Sequence, residues 1–137
     1  MPKVGSAWPF NTGALEFKYP PSLRLKRGWE FDVVFRTGSR HKGALVRLLF
    51  IEAPDGKTRF GVVVGKKQGN ACVRSRGRRV LREAARRLAP WVRPGYWFVL
   101  SLSYRGLGGN ARDVYVDVSR LMERKGFLSS DWPGISW

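Results

Sequence analysis

A chain of 137 residues with 43% hydrophobic residues and six tryptophans is long enough for one domain with a real core and too apolar for a disordered one. A net charge of +16 and a pI near 11.2 point to a polyanionic partner, nucleic acid before anionic membrane. No run of 18 apolar residues exists to cross a bilayer, and one cysteine with one histidine excludes an internal disulfide and a zinc-ligand cluster.

Residues 1–21 hold Pro2, Pro9, Pro20 and Pro21 with scattered charge, which predicts an extended or disordered arm. It has neither the basic start nor the apolar stretch of a secretory signal, and the single cysteine fits a reducing, cytoplasmic setting. From Leu23 to Gly38 the spacing predicts a short helix. Phe31 and Phe35 form an i,i+4 pair with Val34 beside them, Gly28 stands at the start, and Gly38 suits a left-handed stop. Ser39 to Glu52 reads as one strand, apolar on both faces near its end. The turn signal Ala53-Pro54-Asp55-Gly56 would fold it into a hairpin with residues 58–65.

Arg59 to Gly65 is β-branched and apolar, a buried strand; Lys66 to Ala71 is a short loop; Cys72 to Ala89 has helical spacing. On a wheel of about 100° per residue, Val73, Gly77, Val80, Leu81, Ala84 and Leu88 share one face. Ser75, Arg79, Arg82 and Arg86 lie opposite, Arg74 and Arg78 flank one side, and Arg76, Glu83 and Arg87 the other. From Lys66 to Arg87 nine basic residues face a single acid, Glu83, which is half of the net charge. A solvated face would alternate signs, because like charges at i,i+4 repel. Arg74/Arg78, Arg78/Arg82 and Arg82/Arg86 are all such pairs, so the face calls for a polyanion. A membrane surface would need the apolar stripe free to insert, whereas this helix spends it on a core.

Pro90 and Pro94-Gly95 break the chain before Tyr96 to Tyr104, another strand. Asn110 to Lys125 predicts a helix with Asn110 as N-cap and Asp113 at its third position, ended by Gly126. Val114, Val118, Leu121 and Met122 would face the core, although Val114, Val116 and Val118 also alternate as a strand would. Residues 129–137 read as a loose tail. The order is helix, hairpin, helix, strand, helix: an α+β domain with helices packed on a small mixed sheet.

The run GKKQGNACVRSRGRRVLREA resembles the signature of the bacterial ribonuclease P protein family, a KK-x-GNA loop followed by an R-N-R-x-x-R helix. Here Ser75 stands where the family usually has asparagine, and Gly77 where it usually has a larger apolar residue. The resemblance runs over about residues 22–128. It implies a left-handed strand–helix–strand connection around the arginine helix, against the usual rule. It implies an RNA-binding surface at Lys66, Lys67, Asn70, Arg74, Arg76, Arg78, Arg79, Arg82 and Arg86. It also implies a cleft for the 5′ leader of precursor tRNA, with Phe31, Phe35 and, as the nearest match on the preceding strand, Leu49. The implied partners are the catalytic RNA of ribonuclease P and precursor tRNA, with no membrane and no obligate protein partner, and Mg²⁺ held mainly by the RNA and substrate.

The residues alone give no catalytic constellation. Two-metal cleavage by protein needs clustered carboxylates, and of the ten acids only Asp113 and Asp117 share a helical face, where a polar surface suits them better. His41 lacks an acid–base partner, and Cys72 reads as a small packing residue. Two other classes stay open: a structural, ribosomal-type RNA-binding protein and a nuclease that works alone.

Overall fold

The segment Tyr96–Leu102 (YWFVLSL) is apolar at nearly every position, and a strand of that kind belongs where both faces are covered. It takes that place. The computed structural model describes residues 24–65, 69–103 and 105–135; the expected arm at residues 1–21 lies outside them. In chain order the elements are α1 (Gly28–Thr37), β1 (Ser39–Lys42), β2 (Val46–Glu52), β3 (Arg59–Val63), α2 (Ala71–Leu88), a 3₁₀ turn (Ala89–Trp91), β4 (Tyr96–Leu102), a second 3₁₀ turn (Arg105–Gly108) and α3 (Ala111–Arg124). The sheet order is β1-β2-β4-β3, with β1/β2 and β2/β4 antiparallel and β3/β4 parallel.

The α+β order matches the expectation, but the hairpin does not. Residues 39–52 are two strands, not one, and fold into their own hairpin; β4 lies between β2 and β3. The break at residues 43–45 is held from a distance. The Asp117 carboxylate on α3 accepts the backbone N–H groups of Ala44, Leu45 and Val46 at 3.2, 2.7 and 3.0 Å. The turn at residues 53–56 does form, with Gly56 N–H donating to Ala53 O, but it delivers β3 to the far side of β4.

One sheet face carries Val46, Leu48, Phe60, Phe98, Leu100 and Leu102 against α2 and α3, including Val80, Leu81, Ala84, Val114, Leu121 and Met122. The other carries Leu49, Trp97 and Val99 against Leu25, Val34 and the flank of α1. Helix α1 is entered through Glu30, whose carboxylate accepts the N–H groups of Lys26 and Arg27 at 2.8 Å each and an Arg59 Nη1 bond at 3.1 Å. Burial alone would push the Glu30 carboxyl up; those donors outweigh it and hold the group below its usual range.

Two local expectations are corrected, at Gly38 and in the tail, and one open choice is resolved. Gly38 is extended (φ −77°, ψ 155°) rather than left-handed. A Cβ there would lie 2.5 Å from Val34 O and 3.0 Å from Phe50 O, so close approach is its reason. The valine alternation at residues 114–118 belongs to helix α3, capped by Asn110 Oδ1 accepting Asp113 N–H at 2.8 Å. The tail starts docked rather than loose: Ser129 N–H donates to Trp91 O at 2.7 Å, Val92 bridges Leu128, and Trp132 packs on the main core.

Candidate nucleic-acid interface

Helix α2 starts at a side-chain cap. Asn70 has extended backbone and its Oδ1 accepts Val73 N–H at 3.0 Å, which answers one of the unpaired donors of the first turn. Lys66 and Lys67, expected in the same loop, lie outside the described residues. The expected stripe Gly77, Val80, Leu81, Ala84 and Leu88 is buried, together with Ala85. Val73 is not: it is 37% exposed, and Cys72 beside it is exposed rather than packed. The first turn of α2 stays outside the main core, and Val73 lies instead against the loop at Gly69, where a Cβ would come within 2.8 Å of its Cγ1. Gly77 brings the middle of the helix down; a Cβ built on it would lie 3.0 Å from Leu102 Cδ1 and 3.1 Å from Val64 Cγ2.

The arginines divide by flank. Arg76 is turned toward the second 3₁₀ turn, donating to Gly109 O at 3.1 Å and Leu107 O at 3.4 Å. Arg87 donates to Glu83 at 2.8 Å and lies 5.9 Å from the Tyr115 ring centroid; Arg86 also pairs with Glu83. Burial would raise the Glu83 carboxyl, but hydrogen bonds from Arg86 and Arg87 hold it below its usual range. Arg74, Arg78, Arg79 and Arg82 form no ion pair with a described residue. Arg78 donates to Ser75 Oγ at 3.3 Å, so the serine steadies a guanidinium. A planar fork with open donors suits phosphate oxygens better than a lysine ammonium does.

The opposite sheet face has a cavity of about 530 Å³ at the C-terminal end of α1. Phe35 and Leu49 give it apolar walls, and Arg40, Lys42 and Arg47 line it with cations beside Ser101. Pairing fixes this: Arg40 faces Leu49 and Lys42 faces Arg47 across β1 and β2, so all four side chains stand on one face. Arg40 also donates to Phe35 O at 2.7 Å, tying the strand to the helix. Phe35 and Leu49 thus come together as expected. Phe31 and Phe35 both pack on the smaller core, but only Phe35 also lines the cavity; Phe31 lies over Gly61, where a Cβ would lie 2.5 Å from its ring. Arg40, Lys42 and Arg47 were not singled out from the sequence; the i,i+2 spacing of Arg40 and Lys42 was the available signal. His41 stacks on Phe50 with ring centroids 5.4 Å apart. Burial, with Lys125 and Arg124 nearby, holds its imidazole below the usual value.

Among the described residues no three His, Cys, Asp or Glu side chains come together to hold a metal ion. No helix among the described residues is long and apolar enough to cross a membrane.

Fold and surfaces define a basic α+β protein with an arginine-faced helix on one side of its sheet and a basic, partly aromatic cavity on the other. The chain belongs to the ribonuclease P protein family, whose pattern it matches over residues 19–126. It is 36% identical over 112 residues to the ribonuclease P protein component of Symbiobacterium thermophilum, covering 80% of this chain and 96% of that one. To the component from Synechocystis it is 30% identical, covering 80% and 90%. Its fold is similar to that of the ribonuclease P proteins of Staphylococcus aureus (TM-score 0.69, 15% identity, 78% and 98% covered) and Thermotoga maritima (TM-score 0.66, 24% identity, 74% and 96% covered). Family membership implies a subunit of an endoribonuclease for tRNA 5′ processing, partnered with the ribonuclease P RNA.

Proposed function

We propose that this chain binds the ribonuclease P catalytic RNA through the solvent face of α2 and the 5′ leader of precursor tRNA in the cavity between α1 and the sheet. The RNA carries the cleavage with its Mg²⁺. The protein adds phosphate neutralisation and a stacking surface, and it works in the cytoplasm without an obligate protein partner. The observation that supports this most is the division of basic charge onto two opposite sheet faces. One surface is broad and made of arginine; the other is concave, with Phe35 and Leu49 in its wall. A helix face of guanidiniums suits the backbone of a folded RNA, while a cavity with a ring and three cations suits a single strand whose bases can be splayed out. Lys66, Lys67 and the Asn70-capped turn would extend the first surface at the start of α2.

The test is reconstitution with a bacterial ribonuclease P RNA and a precursor tRNA. The protein should lower the Mg²⁺ that the RNA needs and tighten binding of precursor over mature tRNA, and should cleave nothing alone. Metal-dependent cleavage by RNA-free protein, or equal stimulation with precursor and mature tRNA binding, would refute the reading.

A further inference from the structure

A second cavity, of about 540 Å³, opens between the β1–β2 turn and α3. Lys42 lines it as well as the first cavity, so the end of the hairpin carries a basic ridge between the two. The other cations are Arg120 and Arg124, one helical turn apart on α3. Like charges at that spacing repel, and neither guanidinium has a hydrogen bond or ion pair with a described residue. The lining holds three cations against two acids, Asp117 and Glu123, and Asp117 spends its oxygens on three backbone N–H groups of the turn rather than on an arginine. A basic residue in a last helical turn complements the negative end of the helix, which accounts for Arg124. It accounts for neither Arg120, which lies before that turn, nor Lys42, which is on a strand. His41 beside this group is held below its usual value by burial first and then by Lys125 and Arg124.

The geometry points to a phosphate subsite at Lys42, Arg120 and Arg124 that takes the backbone of a single-stranded RNA leaving the first cavity across the end of the hairpin. This rests on the reading of the first cavity as the leader cleft. Lys42 lines both cavities, so a strand that leaves the first meets the second as soon as it passes the end of the hairpin. The second cavity has no aromatic wall, so it reads phosphate and not base. Its contribution therefore depends on leader length and not on leader sequence.

The experiment uses holoenzyme reconstituted from the full chain and a ribonuclease P RNA. It compares a precursor tRNA whose leader is too short to leave the first cavity with one whose leader extends well beyond it. The double variant Arg120→Gln/Arg124→Gln should bind the long-leader precursor more weakly and flatten its salt dependence by about 1.4, two phosphates at roughly 0.7 each for a single strand. Short-leader binding and affinity for the RNA subunit should not change. Equal loss with the short leader, or loss of RNA-subunit affinity, overturns the subsite and gives these cations to the RNA subunit. Arg47→Gln, in the first cavity, serves as the reference. If it weakens both precursors while the double variant weakens neither, the subsite alone fails; if Arg47→Gln weakens neither, the cleft reading fails and the subsite with it.

Discussion

Replacing Arg79 and Arg82 with glutamine separates the guanidiniums that face a partner from those that hold the protein together. Arg76 is spent on the carbonyls of Leu107 and Gly109, and Arg86 and Arg87 share Glu83. That leaves Arg74, Arg78, Arg79 and Arg82 to meet phosphate. If each neutralises one, they give log K against log salt a slope of about −2.8 to −3.6, at roughly 0.7 to 0.9 per phosphate. Arg79→Gln/Arg82→Gln should then flatten the slope for the RNA subunit by about 1.4 to 1.8, with the protein as stable as before, because both side chains are exposed. The matched control is Arg76→Gln/Arg87→Gln, on the flank that faces α3. It removes the same formal charge but should change the slope by less than ~0.5 and instead cost about 1 kcal/mol of stability through the lost contacts to carbonyls, Glu83 and Tyr115. Titrations of the RNA subunit across a range of monovalent salt measure the first quantity, and thermal melts the second. Equal flattening by the two pairs would show that position on the helix does not decide which arginines bind.

Gly77→Ala should lower stability by about 1 kcal/mol, because crowding of Leu102 and Val64 (typically 1–3 kcal/mol) exceeds the helix-propensity gain of up to ~1 kcal/mol; a higher melting temperature would contradict the close approach. His41 is the chain's one histidine, so its ring protons give an unambiguous NMR titration, with a midpoint expected below the usual 6.5. The unfolded chain takes up that proton first as pH falls. The stability is therefore full above about 6.5 and declines between 6.5 and the folded midpoint. Arg124→Gln should move the midpoint back up, and a wild-type midpoint above 6.5 would refute the argument. Phe35→Leu keeps most of the wall's volume and removes the flat ring, so precursor tRNA should bind about 1–3 kcal/mol more weakly while mature tRNA and the RNA subunit bind as before. Equal loss for precursor and mature tRNA would place the ring in a different contact.

The α+β order was legible because each element announces itself locally: the 3.6-residue spacing of α2, the apolar run of β4, the Asn110 cap of α3. Strand pairing was not, for a physical reason. The turn at residues 53–56 says where the chain reverses, not which strand it then joins, and the pairing of β3 with β4 is settled across the whole of α2. The break that makes two strands of residues 39–52 depends on Asp117, 72 residues beyond Leu45. Nothing local distinguishes that aspartate from a surface acid. The cavity behind the hairpin inherits the same difficulty, since Arg40, Lys42 and Arg47 share a face only once the hairpin exists.

The surface of α2 was readable as a wheel, but a wheel gives angles and not neighbours. It places Arg76 and Arg87 on one flank without saying that this flank meets α3, and so counts them equally with Arg79. It also assigns Val73 to the core, which the residue does not join. Phe31 and Phe35 share a helical stripe and the same small core, yet only Phe35 also reaches the cavity, while Gly61 leaves a hollow for the Phe31 ring. The two departures from the family pattern gain a meaning in the same terms. Ser75 accepts a bond from Arg78, where a longer amide would reach further, and Gly77 sets how deeply the helix lies on Leu102 and Val64. Neither alters the charge of the face. Both govern how it is held, so their effect belongs to the orientation of Arg74, Arg78 and Arg82 toward a bound RNA rather than to the number of phosphates neutralised.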